Sequence, residues 1–244
     1  MAIDEKYFLW YSQENMFKNK KILAIIPARG GSKRIPGKNT KLIAGTPLIA
    51  WIIKAAQKSK LIDRLIISTD SPSIAKVAKK YKAQVPFARP ADLATDNATT
   101  DDVIKHAVLY LEKNENYQPD VIVILQATSP LTIANDIDKA IKQLITSNAS
   151  TCVSVCSVAE QPEWMYSLKN NKLVYFIKTK TKKEKESLYR LTGAIYVVKK
   201  GYLIKTGKIM DKNNTSFIET PRERSVDIDE MIDFNIAEML LRKK

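Results

Sequence analysis

Cysteine, histidine and glycine are scarce in this 244-residue sequence, which has two cysteines, one histidine and seven glycines. The histidine, His106, lies within a predicted helix without a paired nucleophile, which excludes Ser-His-Asp catalysis and favours a packed side chain. Cys152 and Cys156 lie in one apolar run, and on one face of a strand they would be about 13 Å apart, too far for a disulfide. We therefore expect two core thiols and a reducing, cytoplasmic location.

Long apolar runs are also missing. No stretch approaches the roughly 20 residues that a membrane-spanning helix needs, so we expect no membrane partner. The N-terminal segment carries Asp4 and Glu5 and lacks a small-residue cleavage site, which is atypical of a signal peptide. Residues 1–20 are instead rich in aromatic side chains, and this favours an N-terminal extension that forms a short docked helix or a subunit interface.

Positive charge is abundant, with a formal net charge of +14. Lysines are scattered over predicted helix faces such as residues 76–82, whereas a nucleic-acid interface favours a patch with arginines or interleaved aromatics. We therefore expect no nucleic-acid partner. One dense cluster, residues 177–186, holds five lysines and two glutamates; a solvated loop and a grip on an anionic ligand fit it equally.

Apolar runs alternate with helical periodicity along most of the chain. Strand patterns occupy residues 22–27, 65–68, 121–126 and 151–158, and helix patterns occupy residues 47–59, 72–81, 101–115 and 135–146. This alternation predicts one α/β domain over residues 21–244, with a doubly wound, mostly parallel sheet and right-handed crossovers.

The alternation breaks after residue 158. Residues 163–168 and 172–178 are typical of a hairpin that turns at Asn170 and Asn171. A strand is predicted over 188–198, a last strand over 226–228 and a C-terminal helix over 229–242. We expect the excursion over 159–190 to pack against a second subunit of a homodimer and to help form its sugar site.

The first strand is followed by a basic, glycine-containing loop. Cations and glycines alternate there, at Arg29, Gly30, Gly31, Lys33, Arg34, Gly37 and Lys38. Glycines let backbone N–H groups approach phosphate oxygens, and cations neutralise the charge, so the loop is a candidate polyphosphate site. Its spacing departs from the Walker A motif, and G-x-G-x-x-G is absent, which excludes a P-loop NTPase and disfavours a dinucleotide cofactor. An ordinary basic loop remains the alternative.

Asp227 and Asp229 are the candidate metal ligands. If residues 225–229 form a strand, both carboxylates project from one face about 7 Å apart. Mg²⁺ binds one or two carboxylates together with substrate phosphates and waters, so this pair would complement the basic loop. The alternative is that Asp229 caps the helix that follows.

Polar residues near other predicted strand ends could bind a nucleotide or a sugar. Arg89 offers a guanidinium, and Asp96, Thr99 and Thr100 follow it, although a capped helix start explains the threonines equally well. Gln126 directly follows the third strand and suits a polyol, or the segment that it begins could cap the next helix.

Five sequence blocks together resemble the acylneuraminate cytidylyltransferases, the CMP-sialic acid synthetases. The blocks are IIPARGGSKRIPGKN, RPADLATD, LQATSPL, GAIYVV and SVDIDEMIDFNIAE, and they extend from about residue 21 to 242. The resemblance implies a Rossmann-like nucleotidyltransferase that transfers CMP from CTP to a nine-carbon α-keto acid sugar with Mg²⁺ and releases pyrophosphate. Positioning and charge neutralisation would dominate such a reaction.

The resemblance also implies residue roles. Arg29 and Lys38 would act catalytically on the triphosphate, while Asp227 and Asp229 would bind the metal, with Asp229 also catalytic. Substrate-binding roles fall on Ser32, Lys33 and Asn39 for CTP, Arg89 and Thr100 for the nucleotide, Gln126 for the sugar, and Arg190 on the side of the sugar carboxylate.

Departures from the family pattern bear on the acceptor sugar. Ala127, Thr132 and Thr192 replace residues common in the family, as do Glu163 and Trp164. Legionaminic and pseudaminic acids therefore fit as well as sialic acid. Other sugar nucleotidylyltransferases, of the 3-deoxy-manno-octulosonate or hexose-1-phosphate type, and a D-x-D glycosyltransferase are the alternatives. The hexose-1-phosphate enzymes would show a Gly-Gly-x-Gly-Thr-Arg run at the first loop, which this sequence lacks.

Overall fold

A computed structural model describes residues 19–158, 160, 162–176 and 187–243, with only the backbone of residue 163. The predicted N-terminal extension, apart from residues 19 and 20, lies outside these residues, as does the lysine-rich cluster over 177–186. None of the described helices is both long and apolar enough to cross a membrane.

The described elements are mostly βα units from residue 22 to residue 157 and then become more varied. The strands are β1 (Ile22–Pro27), β2 (Leu42–Ile43), β3 (Thr46–Pro47), β4 (Arg64–Ser68), β5 (Val121–Leu125), β6 (Thr151–Ser157), β7 (Tyr166–Lys169), β8 (Lys172–Tyr175), β9 (Tyr189–Lys199) and β10 (Thr215–Glu219). The α-helices are α1 (Leu48–Gln57), α2 (Pro72–Lys80), α3 (Thr100–Glu115), α4 (Ala134–Thr146), α5 (Lys200–Thr206) and α6 (Met231–Arg242).

Six strands form the central sheet in the order β10-β6-β9-β5-β1-β4. The strands β1, β4 and β5 pair in parallel, as do β6 and β10, whereas β9 runs antiparallel to both β5 and β6. The chain therefore forms an α/β fold with a mostly parallel sheet, as its alternating pattern predicts.

Helices cover both faces of the sheet because its central strands are apolar on both sides. In β1, Ile22 and Ile26 face a core cluster that also contains residues of α1 and α4, whereas Leu23 and Ile25 face a second cluster with residues of α3. Burying both faces of a strand in this way is typical of parallel sheets.

A third cluster brings the end of the chain back to the first loop. Phe234 and Leu241 of α6 pack with Ile35, Ile43 and the buried Ile228. This packing places the segment before α6 beside the loop that follows β1, although the two are almost 200 residues apart in sequence.

Two features of the second half differ from the prediction. No strand lies at residues 226–228, so that expectation is wrong; the edge strands of the sheet are β4 and β10, and Ile228 instead donates its N–H to the carbonyl of Thr128 (2.9 Å). The C-terminal helix begins at Met231 rather than at residue 229. The predicted hairpin is confirmed as β7 and β8, with Asn170 and Asn171 at φ 50° and 58°.

Candidate active site

A cavity of about 490 Å³ opens where β1 and β5 end. It collects most of the residues that the sequence singles out: Arg29, Ser32, Lys33, Lys38, Asn39, Arg89, Thr100, Gln126 and Asp229 line it. Arg190 and Asp227 are absent from its lining. The carboxyl edge of an open α/β sheet is the usual place for a ligand.

The loop after β1 is held by hydrogen bonds at both ends. Gly30 donates its N–H to the carboxylate of Asp70 (3.0 Å), and the side-chain amide of Asn39 donates to the carbonyl of Arg29 (3.0 Å). A Cβ at Gly30 would lie 3.0 Å from the Cβ of Ser71, so glycine permits this close approach. The buried Asn39 thus stabilises the loop, in addition to lining the cavity.

The outer part of the cavity holds an exposed ion cluster. One oxygen of the Asp96 carboxylate lies 2.9 Å from Arg29 Nη1, and the other lies 2.6 Å from Lys33 Nζ. Arg29 also donates to the carbonyl of Thr95 (3.1 Å). A hydrogen bond from Lys33, assisted by its charge, lowers the pKa of Asp96, so this acid is charged at neutral pH. We name Arg29, Lys33 and Asp96 the outer cluster.

A second ion cluster is built around one nearly buried lysine. The side chain of Lys38 is only 12% exposed; its Nζ donates to the carbonyl of Ile228 (2.5 Å) and lies 3.6 Å from a carboxylate oxygen of Asp229. Arg34 lies 3.6 Å from the other oxygen of Asp229. We name Arg34, Lys38 and Asp229 the inner cluster. It ties the basic loop to the segment before α6.

Asp227 lies next to the inner cluster in a more buried place. Burial raises the pKa of its carboxyl, and the charge of Asp229 also raises it, while a hydrogen bond from Thr128 and the charge of Lys38 oppose the rise. A Cβ at Gly193, which has φ 76°, would lie 3.3 Å from Asp227 Oδ2. Glycine therefore provides both the left-handed backbone and the space for this carboxylate.

These two aspartates fit a hard divalent cation. Mg²⁺ in nucleotide sites takes one or two carboxylates, with phosphates and waters completing its coordination, so no larger acidic group is required. The described part of the chain contains no group of three or more histidine, cysteine, aspartate or glutamate side chains placed to bind a metal. The helix-capping alternative for Asp229 is wrong, because Glu230 is the N-cap of α6 and forms a capping box with Asp233.

Arg89 and Thr100 also line the cavity. The guanidinium of Arg89 is buried and donates to the side chain and the carbonyl of Ser68 at the end of β4. Burial lowers the pKa of Arg89 to about 10, which leaves it charged at neutral pH. The preceding Thr99 caps α3 by accepting from the N–H of Asp102 (3.2 Å), which leaves the side chain of Thr100 outside the cap.

Arg190 lies on the exposed start of β9, outside the cavity lining. Its guanidinium donates to the carbonyl of Ser225 (3.0 Å) and so holds the segment that leads to Asp227. Arg224 in the same segment makes a two-point contact with the buried carboxylate of Asp136 at the start of α4 (2.9 and 3.1 Å). These contacts anchor the acidic segment on two sides.

Three residues of the site escaped the sequence analysis as functional candidates: Asp70, Asp136 and Gly193. Asp70 follows β4, so its position after a buried strand was a usable signal. Asp136 pairs with Arg224, which is 88 positions away. The need for glycine at position 193 follows from the nearby carboxylate of Asp227. No local sequence pattern reveals either contact.

Comparisons with known proteins agree with this geometry. A family model described as "Cytidylyltransferase" matches residues 23–207. The CMP-N,N'-diacetyllegionaminic acid synthase of Legionella pneumophila is 36% identical over 91% of this chain and 96% of its own length. The pseudaminic acid cytidylyltransferase of Campylobacter jejuni is 34% identical over 91% and 97%, and the N-acylneuraminate cytidylyltransferase of Escherichia coli is 32% identical over 92% of this chain and 53% of its own length.

Solved structures share the fold at lower sequence identity. A CMP:2-keto-3-deoxy-manno-octonic acid synthetase complexed with CTP superposes with a TM-score of 0.70 and 18% identity, covering 91% of this chain and 99% of the other. A 4-diphosphocytidyl-2C-methyl-D-erythritol synthase gives a TM-score of 0.67 at 15% identity, with coverage of 91% and 99%. At these identities the likeness concerns the fold alone. By the family model and by its full-length relatives, the chain is a nucleotidyltransferase enzyme that belongs to the acylneuraminate cytidylyltransferase family.

Proposed function

We propose that the protein transfers CMP from CTP to the anomeric hydroxyl of a nine-carbon α-keto acid sugar and releases pyrophosphate. The observation that carries the proposal is the cavity at the ends of β1 and β5, where one loop brings four cations to two aspartates: Arg29 and Lys33 pair with Asp96, and Arg34 and Lys38 lie beside Asp229. Relatives named for legionaminic, pseudaminic and N-acylneuraminic acids support an acidic nine-carbon acceptor. Two buried free thiols support a cytoplasmic enzyme.

The nucleotide would bind along the basic loop. Arg29 and Lys33 at the outer end and Lys38 at the inner end offer charge-assisted contacts to the triphosphate, and Ser32 and Asn39 lie between them in the cavity wall. Arg89 and Thr100, which also line the cavity, would contact the nucleoside. The cations of the loop would neutralise charge as pyrophosphate departs, and this effect dominates phosphoryl transfer.

The acceptor would approach from the side of β9. Gln126 lines the cavity at the end of β5 and would bind a sugar hydroxyl, and Arg190 would attract the sugar carboxylate from the start of β9. The anomeric hydroxyl would then face the α-phosphorus in line with the departing pyrophosphate. The chain contributes positioning here, and the reacting atoms belong to the substrates.

Members of the family generally use a divalent metal, and we propose Mg²⁺ held by Asp227 and Asp229. When bound, such a cation neutralises phosphate oxygens and lowers the pKa of a hydroxyl that it touches. Lys38 lies beside Asp229 and would hold that carboxylate in place during binding. The close backbone of Gly193 would confine the carboxylate of Asp227.

One assay tests the reaction and the acceptor together. Pyrophosphate release is measured from CTP and Mg²⁺ with sialic, legionaminic and pseudaminic acids offered separately, and with 3-deoxy-manno-octulosonate as the control acceptor. We expect release with at least one nine-carbon acid and little with the eight-carbon control. Release with the control alone would contradict the proposed acceptor class, and no release with any acceptor would contradict the reaction.

We further propose a homodimer formed through the excursion over residues 159–190. Its described part exposes large apolar side chains on the hairpin and next to it: Trp164, Leu168, Leu173, Tyr175 and Phe176 are each more than half exposed. A contiguous exposed apolar surface of this kind is typical of a protein interface.

The dimer can be tested by light scattering. We expect a dimer for the native chain and a shift toward monomer for the double variant Leu168→Asp and Leu173→Asp, because two buried charges would oppose association. Leu42→Asp is the matched control, since Leu42 is 62% exposed on β2, away from the hairpin. A fully active native monomer would contradict the proposal.

A further inference from the structure

The carboxylate of Asp96 has no explanation in the reaction proposed above. It projects from the segment between the 3₁₀-helix Ala91–Ala94 and α3, and it bridges two cations of the loop after β1. Its segment is held by other contacts: Thr95 Oγ1 donates to the carbonyl of Asp92 (3.2 Å), and Thr99 caps α3. The position of the segment therefore does not depend on the carboxylate, which can exchange its partners when a ligand binds.

The geometry of this bridge resembles that of a bound phosphate. Each of the two carboxylate oxygens contacts a different cation, at 2.9 Å for Arg29 and 2.6 Å for Lys33. Two neighbouring phosphate oxygens would use the same two donors in the same way. Among the described residues, neither Arg29 nor Lys33 makes an ion pair with another carboxylate.

A triphosphate and Asp96 cannot both use these donors fully. Arg29, Lys33 and Asp96 all line the cavity that would receive CTP. If phosphate oxygens and the carboxylate of Asp96 contacted the same two cations, like charges would lie side by side. The outer cluster is also weak, because Lys33 is 79% exposed and Asp96 is 49% exposed. Exposed ion pairs of this kind contribute little free energy and break readily.

We propose that Asp96 is an internal competitor of the triphosphate, which displaces its carboxylate from Arg29 and Lys33 on binding. This inference rests on the proposed function for the identity of the ligand. Because Asp96 occupies the two cations in part of the molecules, the apparent Kd for the triphosphate is its intrinsic Kd divided by the fraction of molecules in which the cations are available. Asp96 therefore weakens the binding of CTP and speeds the release of pyrophosphate, since it returns to the cations as the product leaves.

A positioning role for Asp96 predicts the opposite sign. If the carboxylate served to hold Arg29 and Lys33 ready for phosphate, its removal would weaken binding, because the cations would become less ordered. If Asp96 competes, its removal strengthens binding. The direction of the change in Kd thus separates the two roles.

The test is calorimetric titration at fixed ionic strength with two probes, CTP and inorganic tripolyphosphate. We expect Asp96→Asn to lower the Kd of both by about 3- to 10-fold, the range set by two exposed ion pairs. Asp96→Glu keeps the charge and should stay near the native Kd. Asp92→Asn is the matched control, because it removes one charge from the 3₁₀-helix just before Asp96, outside the cavity lining, and it should change Kd less than about 2-fold.

Each other outcome has a definite meaning. Unchanged or weaker binding by Asp96→Asn, or an equal gain in Asp92→Asn, would overturn the competitor role. Asp96→Ser repeats the measurement if the asparagine variant does not fold. Native protein that binds tripolyphosphate but not CTP would overturn the proposed function, while the effect of Asp96→Asn on tripolyphosphate would still decide this inference. If neither probe binds the native protein, both proposals fail.

Discussion

The outer and inner clusters have the same composition, two cations and one aspartate, yet they differ in construction. In the outer cluster, Lys33 and Asp96 are exposed and meet across the mouth of the cavity. In the inner cluster, Arg34 and Asp229 are at least as exposed as their outer counterparts, but Lys38 is almost buried and also donates to a backbone carbonyl. Exposed pairs exchange partners at little cost, whereas a buried charge that loses its partner is strongly destabilised. Burial thus makes Lys38 the fixed charge of the pair of clusters, whereas the exposed side chains around it can change partners.

The largest effect is expected from removing the nearly buried cation of the inner cluster. Lys38→Ala should reduce kcat by about 10³-fold, because it removes a desolvated charge that would face the departing pyrophosphate. Lys41→Ala is the matched control, since Lys41 follows on the same turn but is exposed. Turnover and thermal midpoint are measured on both variants. A Lys38→Ala enzyme with native kcat and native midpoint would contradict the role of the inner cluster.

The next largest effect is expected from replacing the two candidate metal ligands. Asp227→Asn and Asp229→Asn should each reduce turnover by about 10²-fold or more, because each removes one charged metal ligand, and higher Mg²⁺ should restore activity only in part.

The neighbouring N-cap provides the control for the two asparagine variants. Glu230→Gln should lower the free energy of unfolding by about 1 kcal/mol or less and leave turnover intact, since Glu230 caps α6. Mg²⁺-dependent turnover at native rates in both asparagine variants would leave the metal assignment without support.

The smallest effects are expected in the outer cluster, where the two cations can be compared with each other. Arg29→Ala should lower kcat/KM by about 10²-fold, whereas Lys33→Ala should lower it less than about 10-fold, because Lys33 is the more exposed of the two cations. Steady-state kinetics with varied CTP checks both variants. Equal losses for the two would show that exposure does not rank these contacts.

The half of the sheet that carries the basic loop was predictable from local sequence. The apolar run of β1 has the predicted bounds, Ile22–Pro27, and the cations after it line one cavity as expected from a position after a buried strand. Each βα unit there contains its own signal, because helix and strand periodicity are local. The turn at Asn170 and Asn171 was equally local, since asparagine tolerates positive φ.

The other half depends on contacts between distant residues. The apolar Val226 and Ile228 suggested a strand, but Ile228 is buried by α6 and the loop after β1 rather than by strand pairing. The true edge strand, Thr215–Glu219, has mixed polarity, with Phe217 exposed, so its apolar pattern is weak. The pairing of Asp96 with Arg29 spans more than 60 residues, and no periodicity encodes it.

The hydrogen bond from Asn39 to the carbonyl of Arg29 has a consequence for the thermodynamics of nucleotide binding. It joins the two ends of the basic loop and closes them into a ring, which restricts the conformations open to the residues between them. An unconstrained loop would lose that conformational entropy when it wrapped around a ligand. Here the entropy is lost when the chain folds, so the ligand meets a loop whose ordering no longer subtracts from affinity.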